Sequence, residues 1–176
     1  MKKLYFLFIL VFMGCNNFNQ NDVQNNVNYC LSLLGKTSVP PNFVKGNTED
    51  YYFTKDKPID VYYGDPGKPY SSLLFDSFFG KPDTAYIENN RIYLVILNIY
   101  GAENDMSADT KISAIMKKYV VFFERNGWDI FIKESDSKYV FMKDGIYVGI
   151  LTDFNIFLPG YQLSLRFSPN QYFASR

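Results

Sequence analysis

Apolar residues recur at helical spacing in two clear places. Val23, Val27, Cys30, Leu31 and Leu34 fall on one side of a helix near 22–34, with Asp22 placed to cap its start and Gly35 to stop it. The stretch from Ala108 to Asn126 is cleaner: Ile112, Ile115, Met116, Tyr119, Phe122 and Phe123 form a single stripe. Ser107 or Asp109 can cap this helix, and Gly127 supplies the left-handed residue that closes it. A shorter helix is predicted around Tyr70, Leu73, Leu74 and Phe78, with Pro69 acceptable in its first turn.

Elsewhere the period falls to two, or apolar residues run together. Short strands are predicted at Asp50–Thr54 and Ile59–Tyr63, then at Thr84–Glu88 and Arg91–Tyr100 around an Asn89-Asn90 turn. Ile92 to Leu97 is apolar without a break, as expected of a strand covered on both faces. After Gly127, Trp128, Ile130 and Ile132 alternate with Asp129, Phe131 and Lys133. Tyr139–Met142 and Ile146–Leu151 follow, joined through Asp144-Gly145, and Tyr161–Phe167 is the last strand before a polar tail with scattered aromatics. Strands joined by tight turns pair antiparallel. The order therefore predicts an α+β domain: a mostly antiparallel sheet with two to three helices packed on it. A faint internal echo, helix then hairpin, is visible near 70–99 and again near 109–151, but its residues match poorly. The stretch 27–176 reads as a single domain.

The segment ahead of this domain has a different pattern. Met1-Lys2-Lys3 precedes 10 apolar residues, Leu4 to Met13, and then Gly14-Cys15-Asn16-Asn17. A basic start, a short apolar run and a small residue at the break describe a secretory signal peptide, and the run is too short for a spanning helix, which needs about 20 residues. Phe12-Met13-Gly14-Cys15 resembles the lipobox of bacterial lipoproteins. That resemblance implies removal of 1–14 and acyl chains on Cys15, which would hold the protein to a membrane. Asn16, rather than Asp, follows the cysteine, which favours the outer membrane with the domain facing the periplasm. Residues 15–26, rich in Asn and Gln, read as the lipidated tether.

Composition narrows the chemistry. The 176 residues hold 18 basic and 18 acidic side chains, so no net charge draws the chain to nucleic acid. Lys2 and Lys3 lie in the leader, so the processed chain is slightly acidic. There is no histidine, which removes His-dependent triads and the commonest transition-metal ligand. Two cysteines are too few for a Cys-only zinc or iron–sulfur site, and with Cys15 lipidated, Cys30 is expected to be a buried small hydrophobe. No P-loop and no GxSxG elbow is present. Asp56, Asp60 and Asp65, and Glu103, Asp105 and Asp109, cluster in sequence without the spacing of a cation loop. The expectation is a non-enzymatic protein with no cofactor and no metal.

The aromatic load remains. With 17 Phe and 15 Tyr, the chain carries more rings than one small core demands. Tyr51, Tyr52, Tyr62, Tyr63 and Tyr70 surround the charged turn segment 55–69, and Tyr suits interfaces because it is amphipathic. The candidate partner-binding residues are Tyr52, Asp60, Tyr62, Tyr63 and Asp65. Trp128 is expected to anchor helix to sheet. Three readings follow: an anchored protein-binding factor, serving toxin immunity or envelope assembly; a lipoprotein holding a small or lipidic ligand in a pocket; or a structural outer-membrane lipoprotein.

Overall fold

The computed structural model describes residues 20–41, 43–45, 60–64, 84–100, 108–155 and 160–175. In chain order these form α1 (Gln20–Leu33), β1 (Phe43–Lys45), β2 (Asp60–Gly64), β3 (Thr84–Glu88), β4 (Arg91–Tyr100), α2 (Ala108–Arg125), β5 (Asp129–Ser135), β6 (Lys138–Lys143), β7 (Ile146–Asn155), β8 (Gly160–Ser168) and α3 (Gln171–Ala174). The eight strands make one sheet in the order β1-β2-β3-β4-β8-β7-β6-β5, with every neighbouring pair antiparallel. The fold is α+β, as the pattern predicts. Among the described residues, each four-strand meander follows one helix. The two meanders join where β4 lies beside β8, with Leu97 opposite Leu165. The short echo expected near 70–99 is not this unit, and the helix expected at 70–78 lies outside the described residues, as does the strand expected at Asp50–Thr54.

Both helices pack on one face of the sheet. Ile112, Ile115, Met116, Tyr119, Phe122 and Phe123 are all buried, so the predicted stripe faces the sheet. It meets Val95, Leu97 and Ile99 of β4, Val148 and Ile150 of β7, and Leu163, Leu165 and Phe167 of β8 in one core. Gly127, at φ 71°, closes α2, and the Trp128 N–H reaches back to the Phe123 carbonyl at 3.1 Å. α1 begins at Gln20, so residues 20–26 belong to the fold and not to the tether. The cause is tertiary: Val23, Asn26 and Val27 are buried despite a sequence poor in helix formers. Past α1, Gly35 and Lys36 exchange backbone hydrogen bonds with Ile92 at the start of β4. The C-terminal ends of α1 and α2 therefore lie at the same end of the sheet.

The opposite face also has buried residues. Tyr86, Tyr93, Leu94, Ile96 and Phe173 form a second, smaller cluster there. β4 is thus covered on both faces, by helices on one and by the chain's C-terminal turn on the other. That turn, α3, lies in a stretch whose sequence pattern predicts only a polar tail with scattered aromatics. Asn170 caps it, its side chain accepting from the Tyr172 N–H at 3.0 Å. Gly149 of β7 is what lets it dock, because a Cβ there would collide with the Ala174 carbonyl.

Two tight turns set the hairpin registers. Asn89 and Asn90 have φ of 51° and 59°, and Asp144 and Gly145 have 51° and 78°, which suits the two-residue turns expected at both places.

Candidate functional site

Sequence reasoning placed the binding residues in 51–70. Tyr52 and Asp65 lie outside the described residues, and so does Cys15. Asp60 and Tyr63 are placed only as members of β2, between β1 and β3. Tyr62, on the same strand, is half-buried and packs against the main core. The described geometry offers three other surfaces, all on or beside the second meander.

One is the edge strand β5. It ends the sheet order, and only one of its seven residues is even half-buried. Ile130 and Phe131 are 47% and 44% exposed. The alternation expected for Trp128, Ile130 and Ile132 does not hold. Ile130 pairs with Phe141 but Ile132 pairs with Val140, so a bulge inserts Phe131 as an extra residue. Phe141 belongs to the helix-side core, whereas Val140 is its strand neighbour and points the other way. Phe131 sets its ring edge-on to Tyr147 at 5.3 Å, on the face away from the helix-side core. Charges flank this apolar stretch: Lys133 lies over the Tyr139 ring at 5.1 Å and pairs with Asp136 at 3.7 Å. The Tyr139 hydrogen bond is the main cause of an upward shift in the Lys133 pKa.

Another is a groove of about 500 Å3 between α1, the end of α2 and the β6–β7 turn. Val27, Leu31, Leu34, Phe122, Trp128 and Ile146 give it an apolar lining. Gln24, Asn28, Asn126, Lys143 and Asp144 supply the polar part. Trp128 packs edge-on against Phe123 at 5.0 Å and also lines the groove, so it anchors helix to sheet while leaving part of itself accessible. Lys143 donates to the Asn126 carbonyl at 2.8 Å, placing a cation at the C-terminus of α2.

A smaller concavity of about 240 Å3 lies across β6, β7 and β8. Its signal was present in the sequence and went unread. In Leu163-Ser164-Leu165-Arg166-Phe167-Ser168 the apolar residues feed the helix-side core. The polar ones therefore line the other face, on a strand with a neighbour on each side.

Between the helices, Asn26 donates through Nδ2 to the Tyr119 hydroxyl at 2.9 Å, both buried. Burial pushes the Tyr119 hydroxyl well above its usual pKa, so it stays neutral and structural. Cys30 is fully buried, as expected. Among the described residues no three Cys, Asp or Glu side chains are grouped to hold a metal ion, and no helix is long and apolar enough to cross a membrane. No protein-family model, curated protein or solved structure matches the chain.

Proposed function

We propose that this protein is a non-enzymatic envelope lipoprotein, anchored through acyl chains on Cys15, that acts by binding another protein. The observation that supports partner binding is the β5 edge. Natural edge strands are blunted by charge, bulges or cover because an exposed apolar edge invites association. β5 has the bulge and the flanking charges, yet keeps Ile130 and Phe131 at 47% and 44% exposure. The bulge and charges guard the backbone against indiscriminate strand addition, and the ring remains for side-chain recognition. Aromatic side chains are enriched at the centres of interfaces. A toxin-immunity or envelope-assembly role fits such a module.

The test places a photoreactive phenylalanine analogue at position 131, and separately at the exposed Lys117 of α2, in the full chain expressed in a bacterial envelope. A discrete adduct from 131 and none from 117 is the expected result. Intact mass of the purified chain is expected to show an acylated Cys15 at its N-terminus. Equal labelling from both positions, or none from either, overturns the partner reading, and an unmodified Cys15 overturns the anchor.

The groove favours a second reading, a small or lipidic ligand. Its volume of about 500 Å3 falls within the roughly 300–1,000 Å3 of ordinary ligand sites, and its lining is apolar with a few polar groups. A lipid retained by the natively purified protein and lost on Trp128→Ala would favour this reading over the first.

A further inference from the structure

From the end of α2 we infer a modification site: the Asn126-Gly127 junction, where the asparagine loses ammonia through a cyclic imide and becomes isoaspartate. The inference rests on neither reading of function above, and its consequence falls on the groove. Asn126 is the only asparagine in the chain followed by glycine. Imide formation joins the amide nitrogen of the next residue to the asparagine Cγ, and a Cβ on that next residue crowds the approach. Gly127 has none. Asn126 is also exposed, and it stands where the helix stops.

The folded chain slows the reaction without forbidding it. Asn126 donates through Nδ2 to the Phe122 carbonyl at 2.7 Å, which holds the carboxamide back along the helix. The Gly127 N–H reaches the Glu124 carbonyl only at 3.4 Å, and the Trp128 N–H closes the turn on the Phe123 carbonyl at 3.1 Å. Chain ends of this kind open more readily than the core of a helix. In an opened last turn the Asn126 side chain can rotate towards the Gly127 nitrogen. That nitrogen, having lost its proton to hydroxide, bonds to Cγ. Nδ2 takes up a proton from water and leaves as ammonia. Water then adds to one imide carbonyl and breaks its bond to nitrogen. Breakage at Cγ gives aspartate. Breakage at the main-chain carbonyl carbon gives isoaspartate, whose main chain runs through Cβ and Cγ and is one carbon longer.

Lys143 decides which product the fold accommodates. It donates to the Asn126 main-chain carbonyl at 2.8 Å. In isoaspartate that carbonyl has become the free carboxylate, so an ion pair replaces a bond to a neutral acceptor. In aspartate the new charge sits on the side chain, at a helix C-terminus that disfavours anions. The extra main-chain carbon puts the Phe123–Trp128 closure out of step. Asn126, Trp128 and Lys143 all line the groove, so an aged chain presents a different groove wall from a new one.

The experiment ages the full chain, in detergent if lipidated, at mildly alkaline pH, beside the same chain in urea. Peptide mapping uses fragmentation that tells isoaspartate from aspartate. In the folded chain Asn126 should convert faster than every other asparagine, including Asn90 in the exposed β3–β4 turn, and with a larger isoaspartate share than in urea. Trp128 is the only tryptophan, so its emission reports the closure. The emission should shift to the red in step with isoaspartate, whereas Asn126→Asp should keep the emission of the fresh chain. Lys143→Met should speed conversion by the same factor as it speeds exchange of the Trp128 amide, and should return the isoaspartate share to its value in urea. Hydrogen-exchange protection in β4 and β8 should persist throughout. Conversion at Asn126 no faster than at Asn90, a product ratio equal to that in urea, or a rate indifferent to Trp128 amide exchange overturns the inference. So does the same emission shift in Asn126→Asp, or a loss of protection in β4 and β8. None of these results bears on crosslinking at 131.

Discussion

The two meanders follow the same order, one helix and then four antiparallel strands, but they are held together by different kinds of information. In the second unit the code is local. α2 has an uninterrupted apolar stripe, a closing glycine, and a following hairpin whose Asp144-Gly145 turn has the positive φ values it needs. In the first unit the code is borrowed. α1 is shorter, carries four asparagines, and is positioned by what α2 and β4 offer it. The same architecture can therefore rest on local propensity in one half and on tertiary burial in the other. The described groove is shared between the two units: α1 lends it Val27, Leu31 and Leu34, and the second unit lends it Phe122, Trp128 and Ile146.

The largest expected effect breaks the second unit at its centre. Phe123 is fully buried, stacks on Phe141 at 5.2 Å, and meets Trp128 and Phe122 edge-on. Phe123→Ala should cost about 3–5 kcal/mol, the range for truncating a core phenylalanine. Phe122 also borders the groove, so Phe122→Ala should cost less. Chemical denaturation checks both, and a Phe123→Ala loss smaller than that of Phe122→Ala would show that the groove side, not the Phe123 stack, is the keystone.

A smaller effect tests the dependence of α1 on α2. Tyr119→Phe removes the acceptor for the Asn26 amide in a buried setting. Leaving a buried donor unpaired costs about 1–3 kcal/mol. Asn26→Leu should also be costly alone, since it removes the same buried amide–hydroxyl hydrogen bond. The double variant should cost less than the sum of the two single losses, because both singles break the same hydrogen bond. Hydrogen exchange adds the regional detail: in Tyr119→Phe, protection should fall in α1 before it falls in α2. Equal loss in both helices would mean that the two units are not stabilised in different ways.

This contrast also explains what could be read in advance. The α2 stripe shows in its periodicity and the Asn89-Asn90 and Asp144-Gly145 turns in their residue types, because each is written in consecutive residues, whereas the period expected after Gly127 fails at the β5 bulge. The early start of α1 was hidden because Asn26 looks like tether until Tyr119, 93 positions later, is beside it. β1 and α3 are hard to read in the sequence for a related reason. Phe43 and Phe173 each become core residues only through strands or faces far away in sequence. The site was less legible than the fold. The Tyr-rich segment 51–70 drew attention by composition, whereas the concavity depends on which face of β8 the helices leave open. That cannot be known until Leu163, Leu165 and Phe167 have been assigned to the other side.

The smallest effect concerns how α2 ends, where the local code can be read quantitatively. Lys143 reaches from the β6–β7 turn to donate to the Asn126 carbonyl at 2.8 Å, and its ammonium lies 3.9 Å from where a Cβ on Gly127 would stand. A cation at a helix C-terminus offsets the partial negative charge of the unpaired carbonyls, a gain of about 0.3–1 kcal/mol at low ionic strength. Lys143→Met keeps most of the apolar stem and removes the charge, so it should lose about that much, and the loss should shrink as salt is raised. If the closing glycine and the α2 stripe already determine the helix end, the loss will sit at the bottom of that range and α2 will keep its length by hydrogen exchange. A loss well above 1 kcal/mol that salt does not diminish would instead show that the β6–β7 turn helps to fix α2, and the second unit would then depend on tertiary contacts as the first does.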